Sequence, residues 1–192
     1  IKKNDDLNDP NRYLYWSTSR LMTANGLQET IFDKWVPMPF GEHVPLEEYF
    51  PSFGNTYRKI FDNASKVEVG TSYQSIPVNE HLRVSPSICF DAIKQKLNFL
   101  QTTRGQGTLI INHANFVWMV KSNAGLEFSY VSQSRAIENA RSIIMATNTG
   151  PTVAYDPLGR KLFQETNLLT QKFGFIDLPL YMGHTIYSYF YI

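Results

Sequence analysis

The chain has 192 residues and a formal net charge of +1, with 18 Lys and Arg against 17 Asp and Glu. That length supports one domain with a sizeable core, and the near-balanced charge argues against a strongly basic, nucleic-acid-binding surface. One cysteine excludes an internal disulfide, no apolar run reaches the ~18 residues of a membrane span, and 14% aromatic residues suit a β-rich core.

In chain order, residues 1–11 are polar and charged and read as a loop. Residues 12–22 are strand-like, and Asn25-Gly26 is a strong hairpin signal. The returning strand runs from about Leu27 to Asp33, with Lys34 at its end. Pro37, Pro39, Pro45 and Pro51, with Gly41, exclude regular structure over 36–51. This stiffened loop carries Glu42, His43, Glu47 and Glu48. A loop of this length in a compact domain is usually functional or disordered, and its apolar residues, Phe40, Val44, Leu46, Tyr49 and Phe50 among them, count against simple disorder.

A short helix over 54–63, strands at 66–70 and 73–78, and a buried strand over 82–89 follow. Then come a helix over 91–102, a strand over 108–112 and a loop over 113–125 that carries Asn115, Trp118 and Lys121. Apolar residues at helical spacing predict a helix over 126–141. Strands at 142–147, 151–156, 161–166 and 172–178 follow, with a turn at Asp156-Pro157-Leu158-Gly159, and the tail over 181–192 is aromatic. Strand–helix–strand alternation followed by hairpins predicts a mixed α/β sandwich. No internal repeat or linker interrupts it.

Cys89 falls at a strand-to-helix junction, where backbone N–H groups favour an anion and lower a thiol's pKa. A lone cysteine is more often a small buried hydrophobe. A thiol nucleophile needs a base, an orienting group and oxyanion donors. His43, His81, His113 and His184 show no diagnostic spacing to Cys89 and read as surface or satisfied histidines. No His, Cys and Asp cluster has metal-ligand spacing, and Gly105-Gln106-Gly107 lacks the companions of a phosphate loop. Neither a metal nor another cofactor is expected. Lys34 remains: a lysine fixed beside a thiol favours the thiolate and can hold an oxyanion, but a lysine at a strand end is usually just solvated, so spacing alone gives this reading little weight.

The segment Lys34-Trp-Val-Pro-Met-Pro-Phe-Gly-Glu-His-Val-Pro-Leu-Glu (34–47) resembles the lysine-to-Pro-Phe-Gly-Glu loop of the apolipoprotein N-acyltransferase family, whose catalytic domain is of the nitrilase (carbon–nitrogen hydrolase) superfamily. Ser-Ile-Cys-Phe-Asp (87–91) resembles the nucleophile motif of that family. Asn115-Phe-Val-Trp118 resembles its later Asn-Asp-x-Trp segment. Ser-Arg-Ala-Ile-Glu-Asn-Ala-Arg, Ala-Thr-Asn-Thr-Gly and Asp-Pro-Leu-Gly-Arg, within 134–160, resemble the helix-and-hairpin block that follows. The likeness covers about 12–190.

The resemblance implies an α/β fold, part of a nitrilase-type αββα sandwich. Residues 1–192 would form a single partial carbon–nitrogen hydrolase domain, with the N-terminal part of that domain and the membrane helices missing from it. Cys89 matches the nucleophile, Lys34 the catalytic lysine and Glu42 the assisting loop glutamate. The Phe90 backbone N–H and Lys34 would hold the oxyanion. Trp118, Asn115, Phe40 and Val44 would touch substrate, with Asp91 in support. The implied reaction moves an acyl chain from a membrane phospholipid to Cys89, and then to the N-terminal amine of a diacylglyceryl-cysteine apolipoprotein. The implied location is the bacterial cytoplasmic (inner) membrane, with the domain facing the periplasm or outer side and no nucleic acid as partner.

The family's general-base glutamate lies well upstream of the lysine; the sole glutamate ahead of Lys34 is Glu29, in the strand just before it. Asp91 stands where the family usually has Glu, Phe116 where an Asp follows the Asn, and Met119-Val120 where the family has Phe-Gly. The alternatives are a nitrilase-type amidase that hydrolyses a carbon–nitrogen bond, and a catalytically dead binding module on the same fold.

Overall fold

The computed structural model describes residues 2–3, 13–61, 66–119, 122–165 and 174–190. Strands β1 (Lys2–Lys3) and β2 (Tyr13–Leu14) pair antiparallel, so part of the expected N-terminal loop is a strand. Strands β3 (Thr18–Thr23) and β4 (Gly26–Asp33) form the expected hairpin. Ala24 and Asn25 occupy its turn, and Gly26 supplies the positive φ of 105° just after them, which glycine adopts without steric cost.

The loop after Lys34 stays irregular up to α1 (Pro51–Ile60). This helix starts three residues ahead of expectation, because Pro51 sits in its first turn, where its missing N–H costs nothing. The expected strand over 66–70 is absent: the segment has the isolated bridge of Tyr15 to Val67 and single backbone bonds to Glu42, Tyr15 and Lys34, but no ladder. The one expected over 73–78 shrinks to β5 (Ile76–Pro77).

Strand β6 (Arg83–Ile88) leads into a 3-10 turn, Cys89–Ile93. Lys94 then leaves helical geometry before α2 (Gln95–Thr103), so the single helix expected over 91–102 is broken in two. Strand β7 (Leu109–Ala114), the 3-10 turn Val117–Met119, α3 (Ala124–Asn139) and β8 (Ser142–Thr147) follow. Strands β9 (Thr152–Tyr155) and β10 (Lys161–Glu165) and the short α4 (Ile186–Tyr189) complete the order. The expected strand over 172–178 has no counterpart at 174–178, and residues 172–173, like Lys121, lie outside the described residues.

Six strands form one sheet in the order β10-β9-β8-β7-β6-β5. Its centre, β6-β7-β8, is parallel, and its edges are antiparallel. Parallel neighbours need crossovers, and here α2 and α3 supply them. Side chains alternate across the sheet. On β7 and β8, Ile110, Ala114, Ile143 and Met145 join Phe116, Phe128 and Ala136 in the core under α3. The opposite row, with Ile111, His113, Ile144 and Ala146, is partly buried or exposed. One helical layer on one sheet is thus present, with the β3–β4 hairpin as a separate two-stranded unit.

Candidate active site

The cavity lies at the carboxyl ends of β6 and β7, where open α/β sheets carry their ligands. Cys89 is the first residue past β6, and its φ is +51°. A side chain with a Cβ pays steric strain there of about 1–3 kcal/mol, so the turn must be held by its surroundings. Asp91, fully buried, does much of this. Its Oδ2 accepts the Ile88 N–H at 3.0 Å. Its Oδ1 accepts the N–H groups of Trp35 at 2.9 Å and Val36 at 2.7 Å. One carboxylate therefore fastens the start of the Cys89 turn to the residues after Lys34.

Lys34 continues the inward row of β4 after Phe32, and both are buried. Its N–H donates to the Ser17 carbonyl at 2.9 Å, and its own carbonyl accepts from the Gly70 N–H at 2.7 Å. The side chain is only 1% exposed, and Nζ lies 2.5 Å from Glu42 Oε2. That oxygen also accepts the Met38 N–H at 2.7 Å, which folds the proline-rich loop over the lysine.

A cavity of about 800 Å³ opens on these groups. Its lining includes Lys34, Glu42, Cys89, His113 and Asn115, with Met38, Pro39, Phe40, Tyr57 and Phe61 as an apolar wall. Phe40, Tyr57 and Phe61 pack ring to ring at centroid distances of 5.6 and 4.6 Å. Burial pushes the Cys89 thiol above its ordinary value, and the Lys34 charge and the backbone amides of Asn115 and Phe90 only partly offset it. The turn and Lys34 were expected to pull this pKa down; desolvation outweighs them. Burial lifts the Asp91 carboxyl to about 6, against the pull of the Ile88, Val36 and Trp35 amides and of Lys34. Burial also lowers the His113 pKa, so its ring is neutral at pH 7.

Of the residues singled out from sequence, Lys34, Glu42, Cys89, Asn115 and Phe40 meet in this cavity. The Phe90 amide favours the ionised sulfur, and Asp91, two residues on, braces the turn. Val44 is 1% exposed and is not among the lining residues. Trp118 lies in the 3-10 turn after β7; its side chain is outside the described set. Sequence reasoning sets His113 aside as a surface or satisfied histidine, yet it lines the cavity, and it misses Ser17, Tyr57 and Phe61. Tyr57 and Phe61, four residues apart, carried a helix-face signal. His113 carried none, because its place follows from its register opposite Ile88. Among the described residues, no group of three or more His, Cys, Asp or Glu could hold a metal ion.

A cysteine in a strained turn after a parallel strand, facing a buried lysine, sits here on the fold of the nitrilase-type carbon–nitrogen hydrolases. The chain superposes on the carbon–nitrogen hydrolase of Helicobacter pylori G27 with a TM-score of 0.59, covering 80% of this chain and 54% of that one at 9% identity. It superposes on the amidase of Nesterenkonia sp. AN1 with a TM-score of 0.54, covering 78% and 52% at 14% identity. In that amidase structure, acrylamide has added to the active-site cysteine.

The sequence relatives are more particular: they are bacterial apolipoprotein N-acyltransferases. The chain is 32% identical to that of Rickettsia typhi over 123 residues, which is 64% of this chain and 23% of the relative. It is 28% identical to that of Chlorobaculum tepidum over 181 residues, 92% of this chain and 33% of the relative. The match thus spans about a quarter to a third of these relatives' length. No family model matches the chain.

Proposed function

We propose that the chain is the catalytic part of an enzyme that transfers a fatty acyl group from a membrane phospholipid to the N-terminal amine of a diacylglyceryl-cysteine apolipoprotein. The observation that carries this reading is the meeting of Cys89, Lys34 and Glu42 in one cavity with an apolar wall, in a chain whose relatives are named for that activity.

In the first step the Cys89 thiolate attacks the ester carbonyl. The carbon–oxygen bond breaks, the lysophospholipid leaves with a proton, and a thioester remains. In the second step the acceptor amine attacks that thioester, the carbon–sulfur bond breaks, and the amine gives up a proton. Lys34 Nζ and the Phe90 N–H stabilise the oxyanion in both steps. Because the resting thiol is neutral, a base must take its proton. Glu29 is exposed on β4 and does not line the cavity, so the family's upstream glutamate is assigned this task. The apolar wall of Met38, Pro39, Phe40 and Phe61 suits an acyl chain.

Location at the bacterial inner membrane, facing its outer side, belongs to this reading; among the described residues no helix is long and apolar enough to cross a membrane. An amidase activity has only the fold behind it, since the solved neighbours share little sequence with this chain.

The test is to incubate the intact protein in detergent with a phospholipid carrying a labelled acyl chain. One acyl mass should appear on Cys89, be released by hydroxylamine, and pass to a diacylglyceryl-cysteine peptide. Cys89→Ala should carry no label. Equal labelling of Cys89→Ala, or hydrolysis of small amides with no acyl adduct from phospholipid, would overturn the proposal.

A further inference from the structure

Asn112 is a polar residue in a row that should be apolar. It lies on β7 between Ile110 and Ala114, both core residues, and it is fully buried. Its Nδ2 donates to the Ser87 Oγ at 2.8 Å and to the Cys89 carbonyl at 3.1 Å. The orientation of the amide is fixed, because a backbone carbonyl can only accept. Its own Oδ1 is buried with no hydrogen-bond partner among the described residues. A buried amide that leaves one end unpaired is unfavourable for the fold alone, so its use lies at the end that is paired.

We propose that Asn112 is a positioning residue that aims the Phe90 amide at the reacting centre. The Cys89 carbonyl and the Phe90 N–H belong to one planar trans peptide, so they point in opposite directions. Holding the carbonyl toward Asn112 turns the N–H toward the sulfur, where that amide acts on the thiol. The same bond restrains the two torsions that flank this peptide, ψ of Cys89 and φ of Phe90, next to the strained Cys89 φ of +51°. Without it the peptide is free to rotate about those two torsions, which would carry the donor away and bring a carbonyl oxygen toward the developing oxyanion. Asp91 grips the turn from the Ile88 and Lys34 sides; Asn112 grips the peptide that Asp91 does not reach.

This inference rests on Cys89 being the nucleophile, and its test needs no acyl substrate, so its failure is separable from failure of the acyltransferase reading. The rate of Cys89 alkylation by iodoacetamide against pH reports the thiol's ionisation, because the thiolate is the reacting form. Asn112→Leu keeps the volume and suits the core row, but has no donor. Its midpoint is expected about one pH unit above wild type, with little change in thermal stability. Asn112→Ala should shift it in the same direction and serves where the larger residue does not fold. Ser87→Ala, which leaves the Asn112 bond to Cys89, should keep the wild-type midpoint. With acyl donor, both Asn112 variants should lose about tenfold or more in kcat at unchanged KM. A wild-type midpoint in the Asn112 variants, or an equal shift in Ser87→Ala, would overturn the proposal.

Discussion

At rest Cys89 is a neutral thiol because burial outweighs the Lys34 charge and the Asn115 and Phe90 backbone amides, while Glu42 adds to the upward push. The two charged neighbours therefore act with opposite sign. Lys34→Met should raise the alkylation midpoint of Cys89 further. It should also slow thioester formation by about 10²–10³-fold, the loss of one oxyanion donor. Glu42→Gln should lower that midpoint, yet still reduce acyl transfer, because the bond that fixes Lys34 Nζ is weakened. Asp91 makes a pH-dependent prediction. Its folded pKa of about 6 lies above the ordinary 3.8, so the folded state binds the proton more tightly. The stability this carboxyl contributes is fully present below pH 4 and is lost as pH rises through 6. Catalysis runs the other way, since the ionised carboxylate is the better acceptor for three amides. Urea unfolding at pH 4 and pH 7 should show a pH-dependent difference in wild type that Asp91→Asn lacks, and acylation should fall below pH 6.

At the scale of elements, the parallel strands and α3 were legible because each is an apolar stretch bounded by polar or turn residues. The misread elements were governed by distant partners. Residues 89–93 have helical composition, but Asp91 spends its side chain on Trp35 and Val36 and its carbonyl on Lys94, which closes a 3-10 turn instead. The segment 66–70 has strand-like residues, but it is used to buttress the end of β4. A Cβ on Gly70 would lie 2.1 Å from the Asp33 carbonyl oxygen, and the Gly70 N–H holds the Lys34 carbonyl. Gly70→Ala should therefore destabilise the protein by about 1–3 kcal/mol and lower acylation together with it, as read by thermal unfolding and thioester formation. The proline-rich loop is tied to α1 by the ion pair of Glu47 with Arg58, which holds the aromatic wall of the cavity against the lysine.

Across the whole molecule, one buried arginine fastens the helical layer. Arg141 donates from Nε to the Gly107 carbonyl at 2.7 Å and from Nη1 to that of Gly183 at 2.8 Å. It also reaches the carbonyls of Asn139 and Ala140 at 3.1 Å, where α3 ends. Arg141→Met would strand the buried carbonyls of Gly107 and Asn139 and the partly buried ones of Ala140 and Gly183, at a cost of about 3–5 kcal/mol. A loss of that size should appear as a fall in unfolding midpoint with the acylation chemistry of the folded fraction unchanged.

Local pattern by itself determined the hairpin, the alternation of strands and helices, the irregular proline-rich loop, and the placing of Lys34 and Cys89 at strand ends. These depend on periodicity and on Pro and Gly, which act within a few residues. Only the tertiary structure decided that Lys34 is buried against Glu42, that Cys89 is strained and neutral, and that His113 enters the cavity while Val44 does not. Each of these depends on strand register, on desolvation, or on hydrogen bonds between residues far apart in the chain. None of those quantities is a property of a short stretch of sequence.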